Sequence, residues 1–336
     1  MPCRPMLRSS CPVRSRLRSR LRPPAPLLLA FTLVLPSFLS APAEGQGRER
    51  GPLVLELGAS TRALALGNAF TLAFPGPEGL FYHPGVLDRA QGLSASVQRY
   101  GSASTSAAVS AGQSWLSGGV ALGVQVLTYS AASSEPVTGE DLLALPADVA
   151  TLRGGGEIGV SELVVSAGYG RSVKNVRMGL VGKIVEQRFG PLRGASGALD
   201  VGVAMSAGPA TFGLAARNMG QGLTMGGEDI PLPFAFSFGG STRQTPLGPL
   251  DLSAAGAVTY RLQGDVIPSV GLEVAYWPVT GRTFVGRIGL RNLPESQSGR
   301  GVTFGGAFMG DSVVLEYAWE GFESGTPSHR FGMGWR

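Results

Sequence analysis

From Asp311 to Glu320 the side chains alternate in kind. Val313, Leu315, Tyr317 and Trp319 fall on one face, and Glu316, Ala318 and Glu320 on the other. Period two is the mark of a strand with two unlike faces. The pattern recurs along the chain. In Arg282–Asn292, Phe284, Ile288 and Leu290 oppose Arg287 and Arg291, and in 198–205 Leu199, Val201, Val203 and Met205 oppose Asp200, Gly202 and Ala204. Leu232, Phe234, Phe236 and Phe238 likewise alternate with Pro233, Ala235, Ser237 and Gly239. About fourteen such segments can be counted, near 92–100, 103–114, 117–130, 157–170, 174–189, 196–207, 209–218, 232–243, 249–263, 267–277, 282–292, 300–309, 312–320 and 328–336. Connections such as Arg171-Ser172-Val173 and Ala207-Gly208-Pro209 are short enough for hairpins.

The second face decides what kind of β-protein this is. A soluble sandwich would carry a densely charged outer face, yet only 15% of the residues are charged while 43% are hydrophobic and 51 are Gly. The face opposite the apolar one is mostly Gly, Ala and Ser, with isolated charges at Arg177, Lys183, Asp200, Arg217, Asp251, Glu273, Arg287, Arg291 and Glu316. After residue 43 no apolar run is long enough for a helical span, so membrane insertion would have to use a closed barrel, which satisfies every strand hydrogen bond internally. Arg or Lys facing lipid at mid-membrane costs roughly 2–4 kcal/mol, so the nine charges are expected in the lumen. The expected fold is an all-β transmembrane antiparallel barrel of about 14 strands. Tyr260, Tyr276, Trp277, Tyr317, Trp319 and Trp335 suit the membrane–water boundary, because each ring is apolar with a polar tip.

Two stretches are not strand-like. Residues 51–91 contain a possible helical turn, Arg62–Leu66, and Gly- and Pro-rich runs that cannot extend a wall. This segment is expected to fold into the barrel mouth as a plug. Residues 131–156 form a long loop, expected on the outward side.

The N-terminal 43 residues have their own logic. Seven arginines and no acid precede an apolar stretch, Leu27–Leu39, and Ala41-Pro42-Ala43. This order reads as a cleaved signal peptide, with translation starting at Met1 or Met6. The expected division is signal peptide 1–43, plug segment 44–91 and barrel 92–336. The remainder carries 21 basic and 23 acidic residues, so the basic pI gives no footing for nucleic-acid binding. Both cysteines, Cys3 and Cys11, leave with the leader.

Enzyme chemistry finds little support. Gly154–Gly159 fits G-x-G-x-x-G in letters but precedes a strand. The two histidines, His83 and His329, have no metal-ligand spacing, and alternation puts His329 on the face of Phe331, Met333 and Trp335. No catalytic residue, metal site or cofactor is expected.

Several motifs, in order, carry a resemblance. Gly58-Ala59-Ser60-Thr61-Arg62-Ala63-Leu64-Ala65-Leu66-Gly67-Asn68-Ala69-Phe70 resembles the opening of the PorV/PorQ family of outer-membrane proteins, relatives of FadL-type barrels. Tyr82-His83-Pro84-Gly85-Val86-Leu87 stands where that family has a Tyr-Asn-Pro-Ala-Gly-Leu-like element. Glu162–Tyr169, Gly182–Glu186, Ala198–Gly202, Leu214–Gly220, Glu316–Trp319 and His329–Trp335 are similar to family strands. The chain departs at Phe74-Pro75-Gly76-Pro77-Glu78, which replaces an acidic patch, and at the terminal Arg336. The resemblance implies a plug containing Gly58, Arg62, Gly67, Phe70, Phe81, Tyr82, His83 and Pro84. It implies an outer-membrane docking or accessory role for exported proteins, in the manner of type IX secretion. A FadL-like transporter of hydrophobic small molecules is the alternative. The implied partners are outer-membrane lipid, the barrel-assembly machinery, and exported proteins or secretion components, or else hydrophobic ligands.

Overall fold

The computed structural model describes residues 51–69, 72, 76–100, 104–131, 158–262, 264–292, 300–321 and 327–335. The signal-peptide reading, the loop 131–156 beyond Ala131, Phe70, Phe74 and Arg336 all lie outside the described residues.

Fourteen antiparallel strands close into a barrel. They are β1 Gly92–Tyr100, β2 Ser104–Trp115, β3 Gly118–Ala131, β4 Ile158–Val173, β5 Val176–Phe189, β6 Leu192–Ala207, β7 Ala210–Gly220, β8 Ala235–Thr242, β9 Leu250–Arg261, β10 Val266–Val279, β11 Arg282–Asn292, β12 Arg300–Met309, β13 Val313–Gly321 and β14 Ser328–Trp335. Each strand pairs with its neighbours in sequence. The ring closes where β1 meets β14, with Leu93 opposite Trp335 and Arg99 opposite His329. β8 resumes at Thr245–Leu247 after one extra residue, because Ser241 faces Ala255 while Thr245 faces Leu252. Among the described residues, no strand of this ring is left as an edge.

The alternation read from the sequence is the alternation of the wall. Val97, Leu122, Ile184, Val203, Phe238, Leu272, Ile288, Leu315 and Met333 all point out and stay exposed. In water such a belt would be untenable; in a bilayer it is the required surface. Two local expectations need correction. The hairpin after β4 turns at Lys174-Asn175, not at Arg171-Ser172-Val173, since Val173 still pairs with Val176 and Lys174 takes a left-handed φ of 56°. Leu232 does not belong to the outward row of Phe236 and Phe238. It precedes β8, in a turn where Phe234 N–H donates to the Leu232 carbonyl at 2.8 Å, and it is buried inside with Val54 and Leu223.

Tight turns at 116–117, 174–175, 208–209, 248–249 and 280–281 lie at one end of the barrel, together with the start of β1 and the end of β14. β3, β7, β11 and β13 run to the other end, the long-loop end, where residues 221–234 join β7 to β8. Within 221–234, Leu223–Met225 and Glu228–Ile230 form a small hairpin.

The described residues of segment 51–91 lie inside the ring, against its inner faces. The segment contains short 3-10 turns at Leu53–Leu55, Pro77–Phe81 and Pro84–Arg89 and one helical turn, α1, Thr61–Ala65. The Ser60 side chain caps α1 by accepting from Ala63 N–H at 3.3 Å. The segment enters near the long-loop end, where Gly51 lies against Pro231 and Pro233. It leaves at the tight-turn end, where Leu87 and Ala90 lie against Gly119 and Gly112. It therefore runs the length of the barrel.

Candidate functional site

The site is the contact between this inner segment and the wall, and it has two unlike halves. Along β10–β14 the wall offers ion pairs. Arg62, on α1, donates from Nη2 to Glu273 Oε1 at 2.7 Å, and Glu273 Oε2 accepts from Arg287 Nε at 2.7 Å. Arg287 Nη1 then donates to Glu316 Oε1 at 2.7 Å. Charges alternate in sign along this chain from the inner segment through three strands. Arg291 and Glu320 form a further pair on β11 and β13.

Close backbone approach holds α1 at the same wall. Gly67 adopts φ +65°, and a Cβ there would meet the Leu290 backbone at 2.8–3.0 Å. Its N–H donates to Thr303 Oγ1 at 3.0 Å. No residue with a side chain fits this position. At Gly58 a Cβ would meet only side-chain ends, Asn68 Oδ1 at 2.8 Å and the Tyr82 hydroxyl at 3.1 Å.

Along β2–β7 the contact is mainly apolar. Near the tight turns Leu80, Phe81, Leu87 and Ala90 pack against Ala108, Ala121 and Val181. Near the long loops Val54 and Leu55 pack against Leu127, Val164, Val185, Leu223 and Leu232. Wall glycines make the fit possible: a Cβ on Gly123 would strike Phe81 and Leu80, and one on Gly179 would strike the Pro84 carbonyl. Tyr82 joins distant parts of the segment, its hydroxyl accepting from Ala59 N–H at 2.8 Å and Ser60 N–H at 3.0 Å. His83 caps the turn Pro84–Arg89, with Nδ1 accepting from Gly85 N–H at 3.1 Å.

Between the two apolar clusters sits one polar knot. Lys183 Nζ lies 2.6 Å from Asp200 Oδ2 and donates to Asn218 Oδ1 at 2.9 Å. Asn218 N–H donates to Asp200 Oδ1 at 2.7 Å. A β-bulge creates it: Arg217 and Asn218 share the space opposite Asp200, and Asn218 has φ 59°. Arg217 reaches the Phe81 carbonyl at 3.5 Å. Arg177 and Asp251 lie on the inner faces of β5 and β9, each half-buried.

On the lipid side of the wall beside this knot lies an apolar groove of about 750 Å³. Leu122, Val124, Val165, Ile184, Leu199 and Met219 rim it, and small residues, Ala167, Gly182 and Gly197, form its floor. Nothing lies within 4 Å of a Cβ built on Gly182.

Sequence reasoning overlooked three strong links. Arg330 is fully buried and donates from Nε to Gln98 Oε1 at 2.8 Å, from Nη1 to Ser96 Oγ at 2.9 Å and from Nη2 to the Gly58 carbonyl. Glu162 accepts from Val54 N–H at 2.7 Å and from Gln187 Nε2 at 3.0 Å. Arg261 pairs with Glu56 at 2.9 Å. Alternation carried the signal for Arg330, which stands between outward His329 and Phe331.

Neither a protein-family model nor a curated protein sequence matches the chain. Solved structures do. The toluene transporter TbuX of Ralstonia pickettii superposes with a TM-score of 0.51 at 14% identity, covering 83% of this chain and 98% of that one. The Pseudomonas putida toluene transporter TodX gives 0.53 at 12% identity, covering 82% and 96%. A Pseudomonas aeruginosa FadL homologue gives 0.52 at 8% identity, covering 82% and 97%. The fold is that of the FadL-like outer-membrane barrels. Identities this low establish the architecture and not the cargo.

Proposed function

We propose that this protein carries hydrophobic small molecules across the outer membrane, with segment 51–91 as a displaceable plug. The carrying observation is the division of the lumen. The plug meets β10–β14 through ion pairs and buried hydrogen bonds but meets β2–β7 mainly through apolar side chains and glycine. A hydrophobic molecule competes for the second kind of contact and gains nothing from the first. Apolar surface is worth about 25 cal/mol per Å², so a molecule that replaces Leu80, Phe81 or Val54 recovers what the wall loses. The bulge in β7 and the groove behind it mark where such a molecule passes to the bilayer. Several of the similar structures are described as toluene transporters or monoaromatic hydrocarbon channels, which supports this reading.

The test uses toluene as probe in cells that lack their own hydrocarbon-uptake barrel. Expression of the chain should raise the uptake rate. Gly182→Phe, which fills the outer groove without touching the lumen, should lower it several-fold while the barrel still assembles. Uptake no faster than in cells without the chain would overturn the reading.

Docking of exported proteins is the second reading. The contact of Tyr82 with Ala59 and Ser60 favours it, because it joins the two stretches that resemble PorV/PorQ. On this reading the partners are secretion components, and deleting the gene should abolish export of specific proteins while leaving toluene uptake unchanged.

A further inference from the structure

Ser166, on the inner face of β4, is 1% exposed, and among the described residues its hydroxyl has no hydrogen-bond partner. A buried hydroxyl left unpaired forfeits its hydration and gains nothing in return. Its neighbours along the strand on the same face, Val164 and Gly168, carry no polar side chain. Lys183, its register partner on β5, is engaged by Asp200 and Asn218. Alanine would pack here at lower cost, so the oxygen serves something other than the wall.

The place it faces is occupied by an aromatic ring. Gly123 is the register partner of Ser166 on β3, and Phe81 Cζ lies 2.6 Å from where a Gly123 Cβ would stand. Cross-strand partners on one face have Cβ positions about 5 Å apart, so Ser166 borders the space that the Phe81 ring fills. Leu80, Ala108 and Ala121 belong to the same apolar cluster. A displaced Phe81 therefore leaves an apolar space of one benzene ring, with one hydroxyl at its rim. Ala167 and Gly182, the next residues on β4 and the neighbouring outward position on β5, floor the groove on the lipid side. The vacated space and the groove stand back to back across a wall of small residues.

We propose, resting on the transport reading, that the favoured cargo is a phenol, whose ring takes the place of Phe81 against Gly123 and whose hydroxyl bonds to Ser166. A phenol hydroxyl donates and accepts, and so does a serine hydroxyl, so the two pair in either direction. A hydrocarbon of the same size fills the space but leaves Ser166 unpaired, and an unpaired buried polar group discriminates against it. Phe81 is on this view a built-in stand-in for the ring of the cargo.

The experiment uses the full chain extracted from membranes into mild detergent, with para-fluorophenol and para-fluorotoluene as probes and fluorine NMR as readout. Titration separates saturable binding from partition into micelles. The intact protein should bind the phenol roughly threefold to tenfold more tightly than the hydrocarbon, the worth of one neutral hydrogen bond. Ser166→Ala should bring that ratio close to one. Phe81→Ala, which empties the space, should tighten both probes and keep the ratio. Heat-modifiable migration on gels certifies that each variant is folded, and Ser166→Ala removes a single oxygen, so the test does not hang on the plug variant. An intact protein with no preference for the phenol would overturn the proposal, as would a preference that survives Ser166→Ala. Tighter binding of para-fluorobenzoate than of the phenol would also overturn it, assigning the selection to Lys183 or Arg217. Toluene uptake above background without a phenol preference would sink this inference alone, whereas uptake at background would sink the transport reading.

Discussion

Removal of residues 52–90 should turn a silent barrel into a conducting one. The segment runs from the long-loop end to the tight turns, and its Val54, Leu64, Leu66, Leu80 and Leu87 are buried against the wall. The wall does not need it to close, since every strand finds both neighbours without it. The lumen charges exposed by its loss still pair among themselves, Arg287 with Glu273 and Glu316 and Lys183 with Asp200. In planar bilayers the intact protein should show little conductance and the shortened one steady ionic current. Continued silence after deletion would mean that strand side chains and loops fill the lumen. Strong conductance by the intact protein would mean a porin.

The second large effect separates the outer face of the wall from the inner one. Ile288 and Arg287 are adjacent, yet Ile288 faces lipid while Arg287 is 5% exposed within the ion-pair chain. Ile288→Arg places a guanidinium in hydrocarbon at a cost of roughly 2–4 kcal/mol. The assembled fraction, read from heat-modifiable migration, should fall sharply. Glu316→Gln makes a charge change in the lumen instead. The amide oxygen still accepts from Arg287, which retains Glu273, so assembly should stay near normal. Equal damage from the two variants would contradict the assignment of faces.

The wall was legible because lipid is a demanding solvent. A residue on the wrong face costs whole kilocalories, so alternation is strict and survives even where Gly and Ala dilute it, as in Leu199–Met205. Ends of strands were less legible. Arg171 and Ser172 look like turn residues, but nothing in the sequence says that Lys174 will accept a left-handed φ, and the hairpin is set by pairing through Val173. The bulge at Arg217-Asn218 was hidden for the same reason: it serves a contact to Asp200, a residue on another strand. Within the plug, the turn at Arg62–Leu66 could be read, and the resemblance pointed to Gly58, Gly67 and Tyr82. The partners of these residues could not be read, because a segment without periodic structure meets the wall wherever its shape allows. Arg330 was within reach, since the alternation of β14 places it inward between His329 and Phe331. Pairings such as Arg62 with Glu273 and Lys183 with Asp200 required the fold.

Movement of the plug during uptake is the central claim, and a reversible lock tests it most directly. A Cβ on Gly170, in the apolar half, would lie 2.8 Å from the Leu87 Cβ, so a small shift brings a cysteine pair within the range of roughly 3.5–4.5 Å that a disulfide spans. The only natural cysteines, Cys3 and Cys11, lie within the first 43 residues of the sequence. In cells expressing Leu87→Cys with Gly170→Cys, oxidation should pin the inner segment to β4 and stop toluene uptake, and a reductant should restore it. Uptake that continues at the same rate with the pair oxidised would contradict the account.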